Sequence, residues 1–289
     1  MSVINTNVSA TLAANAVARN DRSMGVSMER LSTGLRINSA KDDAAGLAIS
    51  TRMTAEVTSL NMAARNANDA ISMLQTVEGA TKEISNMLIR MRELAVQSAS
   101  DTYSTDDRAA LQQEFTALRS EITRVAANTE WNGNKLLDGA DTVSVQIGSG
   151  AGQTMSVVVG DWTVADAKVY GTATARTGGT LTAINALTIA TSAATAGDAI
   201  HTLDIAIKGA TTEQASYGAM ISRLEHAADN LTNVAANTDQ SRSRIQDADY
   251  AKESAELART QIIQQASTAM VAQANQQARN VMDILNWNK

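Results

Sequence analysis

The chain has 289 residues, a formal charge of −6 from 24 basic and 30 acidic side chains, and neither proline nor cysteine. The acidic balance excludes a nucleic-acid binder, which needs clustered Lys and Arg against phosphate, and the absence of cysteine excludes a disulfide framework and thiolate metal sites. With one Phe, three Trp and four Tyr, a thick globular core is hard to build: a buried Leu or Phe stabilises by about 1.5–3 kcal/mol while Ala buries one methyl, so repetition has to replace bulk.

Without proline, nothing removes a backbone donor from a long helix. Met1 to Ala18 carry no charged side chain, and from Thr260 to Lys289 only Arg279, Asp283 and Lys289 do. Both tails read as helices too polar to bury alone and too uncharged to be ordinary solvated faces. The first basic residue is Arg19, so a cleavable signal peptide is not expected. Nor does the chain hold the run of roughly 18 apolar residues that a membrane span needs. Met24, Met28, Leu31 and Leu35 follow a 4,3,4 spacing, one side of a first helix. Gly34 is placed to end it, Arg36 to Ala40 to form a spoke, and Ser39 or Asp42 to cap a second helix beginning near Ala44.

In that second helix Met53, Val57, Leu60, Ala64, Ala67, Ile71 and Leu74 alternate by four and three, and so do Val77, Thr81, Ile84, Leu88, Met91 and Ala95. The two heptad blocks meet in consecutive three-residue steps at Ile71, Leu74 and Val77, which should overwind the seam locally. The helix is expected to end near Ser100. Ser104 with Asp107 then resembles a capping box for a third helix, whose stripe is Leu111, Phe115, Leu118, Ile122 and Val125 and which stops before the Asn132-Gly133 and Asp138-Gly139 turns.

Ten of the 16 glycines fall between Gly133 and Gly197, separating a loop- and strand-rich middle from two helical flanks. Val143 to Ile147 and Met155 to Val159 read as a β-hairpin around Gly148 to Gln153. Residues 161–197, rich in Thr, Ala and Gly, are expected to form a small exposed insertion. The helical rhythm resumes at Tyr217, Ile221, Leu224, Ala228, Leu231 and Ala235. Isolated helices are marginal in water, so the three seams are expected to bury one another. The predicted fold class is mainly α, a long-helix coiled-coil bundle drawn from both chain ends with a small β-hairpin in the middle.

No chemistry stands out. His201 and His226 are isolated and outside any His-Glu-x-x-His pattern. The acidic pairs Asp42-Asp43 and Asp106-Asp107 sit where helix starts are expected, which suits capping better than acid–base work. Gly148-Ser-Gly-Ala-Gly is a weak loop signal with neither a nucleophile elbow nor a phosphate loop. The expectation is no enzyme activity, no metal and no cofactor.

The stretch Leu31-Ser-Thr-Gly-Leu-Arg-Ile-Asn-Ser-Ala-Lys-Asp-Asp-Ala-Ala-Gly-Leu-Ala-Ile49 closely resembles the amino-terminal signature of bacterial flagellins. Asn5-Thr-Asn-Val8, Arg92-Glu-Leu-Ala-Val-Gln97, Asn132-Gly-Asn-Lys135, Ser243-Arg-Ile-Gln-Asp-Ala-Asp-Tyr250 and Gln264-Gln-Ala-Ser-Thr-Ala-Met270 are similar to that family too. The resemblance spans roughly residues 1–150 and 200–289, and the extended outer domains of long flagellins are missing. It departs at Ile284-Leu-Asn-Trp-Asn-Lys289, which is less typical of the family.

The resemblance implies that residues 1–42 and 249–289 pair as an inner coiled coil, with 43–160 and 198–248 as an outer-core bundle carrying the hairpin at 143–159. It implies a homopolymer of many copies that forms an extracellular flagellar filament for swimming. Export through the flagellar type III apparatus, an export chaperone, and cap and junction proteins are implied as partners. The residues expected to carry polymerisation are Val3, Ile4, Val8, Leu12, Met24, Met28, Leu31, Leu35, Leu257, Ile262, Met270, Val281 and Leu285. Some flagellins are sensed by a Toll-like receptor of a host, and the matching contact positions are Arg90, Leu94 and Glu114. Two other readings stay open: a hook–filament junction protein, and a surface-binding module in which assembly is incidental.

Overall fold

The computed structural model describes residues 7–139, 142–162, 184 and 187–286, with the side chains of the last helix described up to Gln276. Five long helices are α1 (Val8–Thr33), α2 (Ala44–Ser98), α3 (Thr105–Asn128), α4 (Ala193–Gln246) and α5 (Tyr250–Asn286). Between α3 and α4 lie β1 (Glu130–Trp131), β2 (Asn134–Lys135), β3 (Thr142–Gln146) and β4 (Thr154–Val158), paired as two antiparallel hairpins. The chain forms two compact units, one from residues 58–235 and one from residues 1–57 with 236–289.

In the 58–235 unit, the stripe read along α2 turns inward: Leu74, Val77, Ile84, Leu88, Met91 and Ala95 are fully buried. Met73 is buried beside Leu74, so the stripe widens near the change of phase. The core is completed by Phe115 and Ile122 of α3 and by Leu203, Tyr217 and Leu224 of α4. The buried side of α4 runs through Ala196, Ala199, Leu203, Ala206, Ala210, Glu213 and Tyr217 in steps of three and four. That seam extends well before Tyr217, where alanine hides it from a reading based on large apolar residues. The Ser104 and Asp107 capping box is present, with the Ser104 hydroxyl accepting the Asp107 N–H at 3.2 Å and Asp107 accepting the Ser104 N–H at 3.0 Å.

After α3, Asn132 (φ 50°) and Gly133 (φ 80°) turn β1 into β2, the left-handed pair of a two-residue hairpin. β3 and β4 pair Val143 with Val157 and Val145 with Met155, putting these side chains on the core face. The tip is held by the Gln146 amide, which donates to the carbonyls of Gly148 and Gly150 at 2.8 and 2.7 Å.

The segment expected as an exposed insertion differs at both ends. Trp162, Ile184 and Ile189 are buried, and α4 begins at Ala193 rather than at 198. The Trp162 N–H donates to the Leu137 carbonyl at 3.0 Å and the Ile189 N–H to Gln112 Oε1 at 2.7 Å. Burying large apolar side chains such as these stabilises by about 1.5–3 kcal/mol each, which draws the ends of the segment onto the core. The remainder of the expected insertion, 163–183 and 185–186, lies outside the described residues.

Candidate assembly site: the terminal helix pair

The unit built from 1–57 and 236–289 contains α1, the start of α2, the end of α4, and α5. Gly34 takes the left-handed conformation (φ 71°) and its N–H closes on the Arg30 carbonyl at 2.9 Å, ending α1. The connector then pairs with the one between α4 and α5. Arg36 N–H donates to the Gln246 carbonyl at 2.7 Å, Ala248 N–H donates to the Gly34 carbonyl at 2.9 Å, and Leu35 bridges Asp247. Both helical runs therefore break at one stitched joint.

The signature Leu31 to Ile49 is explained by this joint. Ile37 is its buried plug, 1% exposed. The cap of α2 is Asp43, whose Oδ1 accepts the Gly46 N–H at 2.8 Å, and not Ser39 or Asp42 as expected. Asp42 instead accepts the N–H groups of Asn38 and Ser39 and the Ser39 hydroxyl, the last at 3.0 Å. The Ser39 hydroxyl and backbone bonds hold the Asp42 carboxyl below its ordinary pKa. A Cβ at Gly46 would sit 2.4 Å from Asp43 Oδ2 and 2.6 Å from Ile37 Cδ1, so a side chain there would make both of them shift. Asp249 accepts the N–H groups of Ala251 and Lys252 at 3.0 and 3.2 Å, capping α5.

Beyond the joint, α1 and α5 pack antiparallel. Arg30 pairs with Glu253 at 2.9 Å. Asn20 Nδ2 donates to the Thr260 carbonyl at 2.8 Å and to Gln264 Oε1 at 2.9 Å. Near the far end, Asn7 Nδ2 donates to the Ala274 carbonyl at 3.0 Å. Asn20, Ser27, Glu253 and Thr260 are buried. Arg30 stands in the last turn of α1 and Glu253 in the first turn of α5, where each charge also suits its helix dipole.

The residues expected to carry polymerisation separate into two groups. Met24, Leu31, Leu35 and Leu257 are half-buried along the pair. Val8, Leu12, Met28, Ile262 and Met270 are 53% to 67% exposed. Val3 and Ile4 lie outside the described residues, as do the side chains of Val281 and Leu285. Met28 departs from the predicted stripe: the inward position is Ser27, next to it, because a small side chain lets the two backbones approach. Asn20, Thr260, Gln264 and the Arg30–Glu253 pair carry the contact and were missed, because polar residues on a helix read as solvated until a partner is known.

In the other unit, Arg90 bonds Glu93 and Glu114 at 2.9 and 2.8 Å, all three side chains being well exposed. Its guanidinium pKa is raised by the hydrogen bonds to Glu93 and Glu114 and by the Glu114 charge. Leu94 does not share that surface. It is 1% exposed and lies in the core, being on the same inward face as Met91 and Ala95. Among the described residues no group of three or more His, Cys, Asp or Glu could hold a metal, and no helix is long and apolar enough to cross a membrane.

Residues 4–142 match the bacterial flagellin N-terminal helical region and residues 200–285 the bacterial flagellin C-terminal helical region. The chain is 44% identical over 272 residues to a flagellin of Halalkalibacterium halodurans, covering 91% of this chain and 95% of the relative. It is 39% identical over 305 residues to a flagellin of Bacillus subtilis, covering 98% and 99%. A solved structure described as a flagellar hook-associated protein from Vibrio parahaemolyticus shares the fold, with a TM-score of 0.58 over 71% of this chain and all of that one, at 15% identity. On the two family regions and these relatives, the chain belongs to the bacterial flagellins, the structural subunits of the extracellular flagellar filament.

Proposed function

We propose that the α1–α5 pair is the polymerising element, and that its exposed apolar side chains become buried only between many copies of the chain. The observation that carries this reading is the exposure of Leu12, Met28, Ile262 and Met270, each above half, in a chain short of large apolar residues. In an ordinary monomer such a concentration on one helix pair has no use; repeated head-to-tail through a filament it provides a continuous seam. On this reading 1–42 and 249–289 line the filament and order fully on assembly, while 43–160 and 198–248 surround them. The chain has no catalytic role. Its partners beyond its own copies are the type III export apparatus, an export chaperone, and cap and junction proteins. Support for these partners is the family membership alone. Recognition by a host Toll-like receptor rests on the exposed Arg90, Glu93 and Glu114, without Leu94.

The test is seeded growth of purified chain followed by negative-stain electron microscopy and circular dichroism. Uniform filaments with a gain in helicity are expected from the full chain. Chains lacking residues 1–30 or 260–289 should form none while the 58–235 unit keeps its melting transition. Intact filaments from either truncation overturn the reading.

A further inference from the structure

We propose that Asn20 sets the rotation of α1 against α5, and so decides which apolar side chains the pair offers to neighbouring copies. The proposal rests on the assembly reading above and adds the residue that orients its surface. The α1 sequence offers two inward stripes. One, Met24, Met28, Leu31 and Leu35, is apolar throughout; the other, Asn20, Met24, Ser27 and Leu31, exchanges Met for Ser and adds an amide. At 3.6 residues per turn the two differ by a rotation of only about 40°. Burial of apolar area alone favours the first stripe. The structure takes the second: Asn20 and Ser27 are buried while Met28 is 56% exposed.

The alanines of α1 do not make this choice. Ala10, Ala13, Ala14, Ala16 and Ala18 lie on several sides of α1 and fill space almost equally at either setting. The joint at Gly34 and Ala248 and the Arg30–Glu253 pair hold one end of α1 against α5, and the Asn7–Ala274 bond holds the other, which leaves a small turn open to the stretch between them. Asn20 closes that freedom. Both protons of its amide are used, one on the Thr260 carbonyl and one on Gln264 Oε1. The carbonyl can accept this bond besides its helical one because it has two lone pairs. Turning α1 toward the apolar stripe strips the amide of both acceptors, a buried loss that specifies orientation as a single polar residue does in a coiled-coil seam. Met28 is thereby held outward.

The experiment reads rotation by disulfide cross-linking, for which the cysteine-free chain gives no background. Ser27 lies between the Asn20–Thr260 and Arg30–Glu253 contacts, which puts it opposite the turn of α5 that holds Glu253 and Leu257, and Leu257 is the apolar side chain of that turn. Ser27→Cys with Leu257→Cys and Met28→Cys with Leu257→Cys are therefore oxidised side by side, in soluble chain and in seeded filaments. With Asn20 present, the Ser27 pair should form at least tenfold faster. In Asn20→Leu the preference should reverse toward the Met28 pair. An unchanged preference overturns the proposal, and so does an equal loss of both cross-links, which is what a merely structural role of Asn20 produces. Failure of the wild-type chain to grow filaments would count against the assembly reading and leave the cross-link ratio to judge Asn20.

Discussion

The hydroxyl of Tyr217 on α4 accepts the backbone N–H of Gly160, just beyond β4, at 3.1 Å, and Tyr217 is fully buried. Burial first, and the nearby Glu213 carboxylate second, hold the phenol above its ordinary value of 10.0. A folded pKa above the unfolded one means that the stabilisation is complete below pH 10.0 and is lost as the pH rises past it, because the unfolded chain ionises first. Tyr217→Phe should cost about 1 kcal/mol at neutral pH and flatten the alkaline decline. Tyr217→Ala should cost about 3–5 kcal/mol, as large-to-small core changes do. Urea midpoints at neutral pH and above pH 10 check both.

At the start of α3 the Ser104 cap satisfies a helix-terminal N–H. Ser104→Ala should destabilise the 58–235 unit by about 1 kcal/mol, read from guanidinium melts. The Ser104 hydroxyl and backbone bonds keep the Asp107 carboxyl below its ordinary value. That contribution is present above the unfolded value and lost as the pH falls through the lower folded one, so the substitution should also lessen the loss of stability on acidification.

Gly46→Ala places a methyl group against Ile37 and the Asp43 cap. Overpacking of this kind costs about 1–3 kcal/mol. Faster amide exchange confined to the joint and the first turn of α2 is the expected result; unchanged exchange there would show that Ile37 moves aside without loss.

Ile262→Ser removes a side chain that is 67% exposed in the single chain. The melting of the chain should barely change. Burial of such a side chain between copies is worth about 1.5–3 kcal/mol, and each 1.4 kcal/mol is roughly a factor of ten. The critical concentration for filament growth, measured by sedimentation, should rise about tenfold or more.

Arg90 and Leu94 should part company under mutation. Leu94→Ala empties core volume and should cost about 2–5 kcal/mol, so any loss of receptor signalling in that variant accompanies loss of fold. Arg90→Ala should leave the thermal midpoint in place. A drop in receptor reporter signal for Arg90→Ala and Glu114→Ala with unchanged melting supports direct recognition; full signal from both removes it.

Residue order alone determined the long helices, the Ser104 capping box, the Asn132-Gly133 turn and the β3–β4 hairpin. Each follows from local chemistry: 3.6-residue periodicity, a side chain reaching its own backbone, or the left-handed freedom of Asn and Gly. The 4,3 stripe of α2 was visible for the same reason, since Leu, Ile and Met mark a buried face wherever they recur. Which side of α1 faces α5 was decided only in the tertiary structure. There the inward residues are Asn20 and Ser27, and a polar side chain declares itself buried only when its partners, here Thr260 and Gln264 at the other end of the chain, come within hydrogen-bond distance. The same holds for Leu94, matched by the resemblance to a receptor contact and drawn into the core by the neighbours it packs against.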